Sequence, residues 1–307
     1  MGRPVSASAD VRRDDADAAR DLMTTALREG YSTLATVTEN DLCVLDPGAA
    51  VLVDGRSWAR WMAFTDDQRA LLRRSSIGML CERHLLRPRP GAYVPTPGNL
   101  LLDAGDEPDL SRYDVAPELA TALLARQRPV FVVAASAIPD APEDPAPTMY
   151  GLADEDSRTL TVVLEQAFTK SYGRFGHEVR FMLVSPARAA EVLVTWMCVP
   201  PGSTWEPGRR VVRVVANPPG GTTVRSWTTT PVADGWSVEV ASTVATSPPG
   251  TPERPEAPER SEAPERSEAP EPAEAPEPTQ ASATVSDSAS MSRLTEDLVE
   301  AMRSWAG

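Results

Sequence analysis

Lysine is almost missing from this chain of 307 residues: Lys170 is the single one, so nearly all 30 basic residues are arginines, set against 44 acidic ones. The formal net charge is −14, and its distribution matters more than its size. Between Thr251 and Thr279 nine glutamates face only Arg254, Arg260 and Arg266. A mildly acidic body with a more acidic tail argues against broad binding to nucleic acid or to anionic membranes, because both draw their affinity from basic clusters. Cysteine is scarce too. Cys43, Cys81 and Cys198 are odd in number, far apart and set in apolar surroundings, which excludes a disulfide framework and points to buried thiols in a reducing compartment. No run approaches the roughly 18 apolar residues of a membrane span, and "MGRPVSASADVRRDDADAARD" has no apolar leader core. The expected location is the cytoplasm.

What is present is an apolar fraction of 41%, enough for a sizeable core, and 30 prolines crowded towards one end. The sequence predicts an α+β body over residues 1–246, with 1–10 disordered, built on an antiparallel or mixed sheet flanked by helices. Residues 10–30 read as a helix capped by Asp10 and stopped by Gly30. "YSTLATVT", "DLCVLD" and "AAVLVDG" read as short strands. A helix comes next at "TDDQRALLRRSSIGMLCERHLLRP", capped by Thr65 or Asp66 and ended before Pro88, then another at "APELATALLARQRP". From there "VFVVAASAI", "YGLAD", "RTLTVVLEQAF", "HEVRFMLVS", "RRVVRVVAN", "TTVRSWTTT" and "GWSVEVAS" are strand-like, the last three forming a meander with turns at "NPPGG" and "ADG". One helix, "SPARAAEVLVTWM", interrupts them, with Ser185 as its N-cap and Pro186 in its first turn.

Residues 247–290 read as a disordered Pro/Glu-rich linker whose repeats, "APERSE" twice and then "APEPAE", favour extended polyproline II. About 40 such residues at roughly 3.1 Å each reach on the order of 100 Å. Beyond it, residues 291–307 predict an amphipathic helix in which Leu294, Leu298, Met302 and Trp305 share a face, with Val299 beside them. A helix of this length is marginal alone in water, so it needs a surface to fold against. These five residues are the expected contact with a protein partner, docking in cis being the competing reading.

Motifs for chemistry are sparse. Cys81 and His84 sit three apart on a helix, but His177 is the only other histidine, too few ligands for a structural zinc site. "TKSYGRFGHE" (169–178) lacks the order of a phosphate-binding loop and reads as a polar hairpin loop. Asp154, Glu155 and Asp156 read as a solvated turn. An enzyme site would have to be assembled from distant residues such as Cys198, His177 and the 154–156 turn. A winged helix touching phosphate through Arg69, Arg73 and Arg74 is a further alternative. No catalytic residue, metal or cofactor is predicted, and the oligomeric state is left open.

The order of elements over residues 66–165 resembles the EspG-type cytosolic chaperones of type VII (ESX) secretion systems. The resemblance rests on "RALLRRSSIGMLCERHLL", the acidic connector "LDAGDEPDLSRYDV", "PELATALLARQRP" running into "VFVVAAS", and the hairpin "MYGLADEDSRTLTVVLE". It covers about a third of the chain and carries no invariant signature. It implies a central antiparallel sheet flanked by helices and a non-enzymatic adaptor or chaperone that keeps secreted helical partners soluble.

Overall fold

The computed structural model describes residues 13–48, 55–96, 109–138, 146–154, 158–171, 177–198, 208–216, 222–233, 235–245, 279–285 and 288–304. Helix α1 (Arg13–Glu29) stops at Gly30, which takes φ +86, and leads into strand β1 (Tyr31–Thr38). "DLCVLD", expected as a strand, is instead helical. Thr38 and Asp41 form a reciprocal capping box that starts helix α2 (Glu39–Leu45), so local cap chemistry decides a short apolar run that has no clear period of its own. Most of "AAVLVDG" lies outside the described residues, and Gly55 opens helix α3 (Gly55–Met62). A second capping box, Thr65 with Gln68, begins helix α4 (Asp66–Glu82). Strands β2 (Leu86–Pro88) and β3 (Tyr113–Val115) pair as a small separate ribbon before helix α5 (Pro117–Gln127).

The remaining elements are strands β4 (Phe131–Ile138), β5 (Thr148–Asp154), β6 (Thr159–Ser171) and β7 (His177–Val184), helix α6 (Pro186–Met197), strands β8 (Arg209–Ala216), β9 (Thr222–Val232), β10 (Gly235–Ala245) and β11 (Thr279–Val285), and helix α7 (Ser288–Ser304). Nine strands form one sheet in the order β1-β7-β6-β5-β4-β8-β9-β10-β11, antiparallel at every step. The connection from β1 to β4 carries α2 to α5 over one face, and the connection from β7 to β8 carries α6 over the other.

Side-chain alternation shows why both layers are needed. Tyr150 and Val163 belong to the core under α1, α2, α4 and α5, while their strand neighbours Met149, Val162 and Leu164 belong to the core under α6 and α7. The central strands are therefore buried on both faces and read as nearly continuous apolar runs. At Gly151 a β-carbon would lie 2.5 Å from the ring of Phe131, so the absence of a side chain there makes room for that ring in the second core.

The tail departs from its expected layout. The span 247–290, read as linker, contains β11 and the first turn of α7. Ser242 of β10 is the register partner of Thr279 of β11, so residues 246–278, which lie outside the described residues, join two hydrogen-bonded neighbours. The segment does not carry the terminal helix away from the body.

Helix α4 ends with the Leu85 N–H donating to Leu80 O at 2.9 Å and the His84 N–H to Cys81 O at 3.0 Å, which forces His84 to φ 60. A side chain is strained in that left-handed position and glycine is not. His84→Gly should stabilise the chain by about 0.5–1 kcal/mol, raising the midpoint of thermal unfolding by roughly 1–3 °C. A lower midpoint would show that the imidazole makes a contact worth more than the strain.

Candidate functional site

Helices α6 and α7 pack side by side on the second face of the sheet. Ser185 caps α6 by accepting from the Arg188 N–H at 3.2 Å, and Pro186 occupies its first turn. The face of α6 that this start directs inward places Ala189, Ala190, Leu193, Val194 and Met197 against the strands. In α7 the stripe Leu294, Leu298, Ala301 and Met302 is buried in the same core, with Leu298 and Met302 at 0% exposure, alongside Trp227 of β9 and Val238 of β10. Fully burying such side chains contributes about 1.5–3 kcal/mol each.

One polar interaction fixes the register of this packing. Asp297 accepts from Trp227 Nε1 at 2.8 Å and from Arg225 Nη2 at 2.6 Å, and the Arg225 guanidinium lies 5.1 Å from the centre of the Trp227 ring. Both carboxylate oxygens are therefore used, one on a strand arginine and one on the indole beneath the helix. A one-residue rotation of α7 removes both bonds at once.

The outer surface of the pair is a furrow made of two adjoining cavities of about 610 and 410 Å³ that share Thr295 and Glu296. Ala187, Val194, Met291 and Val299 supply its apolar lining, and Glu296, Glu300, Arg303 and Glu191, the last bonded to Arg188 at 2.7 Å, its charged rims.

A second concentration of charge lies in the opposite core. Arg126, at the end of α5, has its side chain 1% exposed between Glu165 of β6 and Asp46 beyond α2. Tyr150 donates to Glu165 Oε2 at 2.7 Å, the oxygen that also receives Arg126 Nη1. Burial opposes the charge of Arg126, but Glu165, Tyr150 and Asp46 outweigh it and hold the guanidinium above its ordinary range. Burial and the neighbouring Glu165 push the Tyr150 hydroxyl well up, so it stays a donor. Perturbed groups mark functional sites when they face a cleft. Here the charges face one another and tie α2, α5, β5 and β6 together.

Leu294, Leu298 and Met302, the residues expected to meet a partner, turn towards the chain's own sheet, whereas Val299 is half-buried, touching that core and lining the outer furrow. Trp305 lies outside the described residues. Asp154 and His177 fall at opposite ends of the 13-residue β6, Asp154 pairing with Thr159 and His177 with Ser171. That places them roughly 40 Å apart, so they cannot share a site with Cys198. Asp154 instead bonds Arg20 of α1 at 3.0 Å. Glu155 and Asp156, and most of the 169–178 loop, lie outside the described residues. Cys81 is half-buried and His84 exposed, and among the described residues no group of three or more His, Cys, Asp or Glu could hold a metal. Arg74 is buried and Arg69 is bonded to Asp66, Met62 O and Phe64 O, so the three arginines form no open basic face.

Sequence reasoning misses Asp297, Arg225, Ala301 and Arg126. The available signal is Trp227: an indole in an otherwise Thr-rich strand needs an acceptor for its N–H when buried, and Asp297 is the one acid at inward helical spacing from Leu294 and Leu298. Comparison with family models, with curated proteins and with solved structures gives no match.

This geometry generates two expected outcomes. Arg126→Ala leaves two largely buried carboxylates facing each other and should cost about 3–5 kcal/mol in denaturant unfolding; a loss under about 1 kcal/mol would mean that water replaces the guanidinium. Cys198 closes α6, and burial raises its thiol from 9.0 to about 11, partly offset by Arg210. Because the folded state holds this proton more tightly than the unfolded one, its contribution is complete below about pH 9 and is lost as pH rises towards 11. Unfolding midpoints measured from about pH 8 to 11 should fall more steeply for the wild type than for Cys198→Ala, and parallel curves would refute the assignment.

Proposed function

We propose that this chain is a non-catalytic, cytoplasmic adaptor or chaperone that holds a helical segment of a partner protein. The observation that carries the reading is the furrow between α6 and α7, an open apolar trough on a two-helix layer, which is the shape that receives a third helix. Its rims are of mixed charge, Glu296 and Glu300 with Arg303, and Glu191 held by Arg188 at 2.7 Å, so the occupant it favours is selected by an apolar stripe. The terminal helix thus serves a partner through Thr295, Glu296 and Val299 while its other face anchors it. Two further features support the reading. The three cysteines are free thiols, in keeping with a reducing compartment, and among the described residues no helix is long and apolar enough to cross a membrane. The antiparallel sheet flanked by helices also agrees with the fold implied by the resemblance to type VII secretion chaperones, the pathway this reading favours.

The test compares full-length wild type, Val299→Asp, Val299→Ala and Leu298→Ala as bait in the native host, with unfolding midpoints measured in parallel. Val299→Asp should lose a partner that wild type retains, while Val299→Ala, which removes only part of the contact Val299 makes with the core, should separate that loss from any fall in the midpoint. Leu298→Ala should lower stability by about 2–5 kcal/mol, because it opens a cavity in the body's own core. An identical partner profile for wild type and Val299→Asp would remove the furrow from consideration.

A further inference from the structure

Adjacent antiparallel strands are joined by loops of two to about five residues. Residues 246–278 lie between β10 and β11, although Ser242 and Thr279 already face each other. A connection this long does not position the strand and helix beyond it. The place of β11 and α7 is set by non-covalent contacts: the ladder from Trp236↔Val285 to Ser242↔Thr279, the buried stripe of Leu294, Leu298 and Met302, and the two bonds of Asp297 to Arg225 and Trp227. The unit of β11 and α7 is in this sense a ligand of the body to which it is tied.

We infer that the seat formed by the β10 edge, β9 and α6 is a docking surface for a strand-then-helix module supplied in trans, and that its occupant is the β11–α7 unit of a second copy of this chain. The choice of occupant rests on complementarity. A foreign helix without a carboxylate at the Asp297 position leaves the Trp227 indole and the Arg225 guanidinium facing an apolar surface without their acceptor, a cost that a second copy of this module avoids. Exchange of identical elements between copies adds no new contact and requires only a connection able to span two bodies. Concentration decides the outcome. The tie presents the module to its own seat at an effective concentration on the order of millimolar, so own-chain docking dominates at micromolar protein and exchange becomes appreciable near millimolar.

The experiment uses full-length chains with a specific protease site substituted within residues 246–278. An isotopically labelled, untagged population and an unlabelled, amino-terminally tagged one are mixed, unfolded in denaturant and refolded together at about 1 mM and, separately, at about 1 µM. After cleavage the tagged bodies are recovered and their non-covalently held carboxy-terminal fragments weighed. Exchange predicts labelled fragments on a substantial share of tagged bodies refolded at the higher concentration and on fewer than about one in a hundred at the lower. It also predicts that Asp297→Ala lowers fragment retention after cleavage at least tenfold, while Glu239→Ala, on the opposite face of β10, does not. Labelled fragments absent at both concentrations, or release of every wild-type fragment on cleavage, would overturn the inference. These readouts involve no partner protein, so they stand or fall independently of the furrow.

Discussion

The sheet is apolar on both faces at its centre, and most of the architecture results from covering it. On the face under α6 and α7, buried residues run across seven consecutive strands, from Val184 of β7 through Leu164, Met149, Val133, Val212 and Trp227 to Val238 of β10. Strands lie about 4.8 Å apart, so this bed is roughly 29 Å wide. One helix with its side chains covers about 10 Å. The crossover helix α6 therefore cannot shield the bed alone, and a second helix is a structural requirement rather than an appendage. Helix α7 fills that role although it comes after every strand.

Covering the sheet also divides α7 into two surfaces with different uses. The inward stripe is committed to the core, and any partner that captured it would have to expose Trp227 and Val238 to water. Of the outward residues, Glu296 is exposed and Thr295 and Val299 are half-buried, Val299 also touching the core, and α6 meets them with Ala187, Glu191 and Val194 to make a trough instead of a ridge. The buried charges around Arg126 do the equivalent work in the other core. There a guanidinium between two carboxylates sets the relative positions of α2, α5 and β6 where apolar packing alone would tolerate sliding. In both cores a polar contact specifies register and the apolar contacts supply the area.

Much of the sheet is legible in the sequence because its signals are local. The strands from Phe131 to Ala245 track β-branched runs and turn residues, and α4, α5 and α6 track caps and prolines at Thr65, Pro117 and Ser185. The helix over residues 39–45 escapes a sequence reading because "DLCVL" has no decisive periodicity over so short a span, and only the Thr38–Asp41 box breaks the tie. The stripe Leu294, Leu298 and Met302 does lie on one helical face, as its spacing predicts, but a stripe says only that something covers it. What covers it is α6 with β9 and β10, and the strand that returns the chain to their edge, "TQASATV", is a weak strand signal made of small residues next to a proline-rich run. The furrow is not legible at all, since it exists only where two helices distant in sequence lie side by side.

Intuition says that a connection as long as residues 246–278 weakens the docking of β11 and α7, and loop entropy shows how little it does. The closure cost grows as the logarithm of length, about 0.6 kcal/mol per doubling. Relative to a two-residue turn, the segment is about four doublings longer, a penalty of roughly 2.5 kcal/mol. Burial of Leu294, Leu298 and Met302 alone contributes about 4.5–9 kcal/mol, before the strand ladder and Asp297 are considered. Docking therefore tolerates the long connection with a margin, and selection is free to vary that segment in length and composition. The acidic, proline-rich repeat can accumulate there because the fold asks nothing of it beyond returning to the edge of β10.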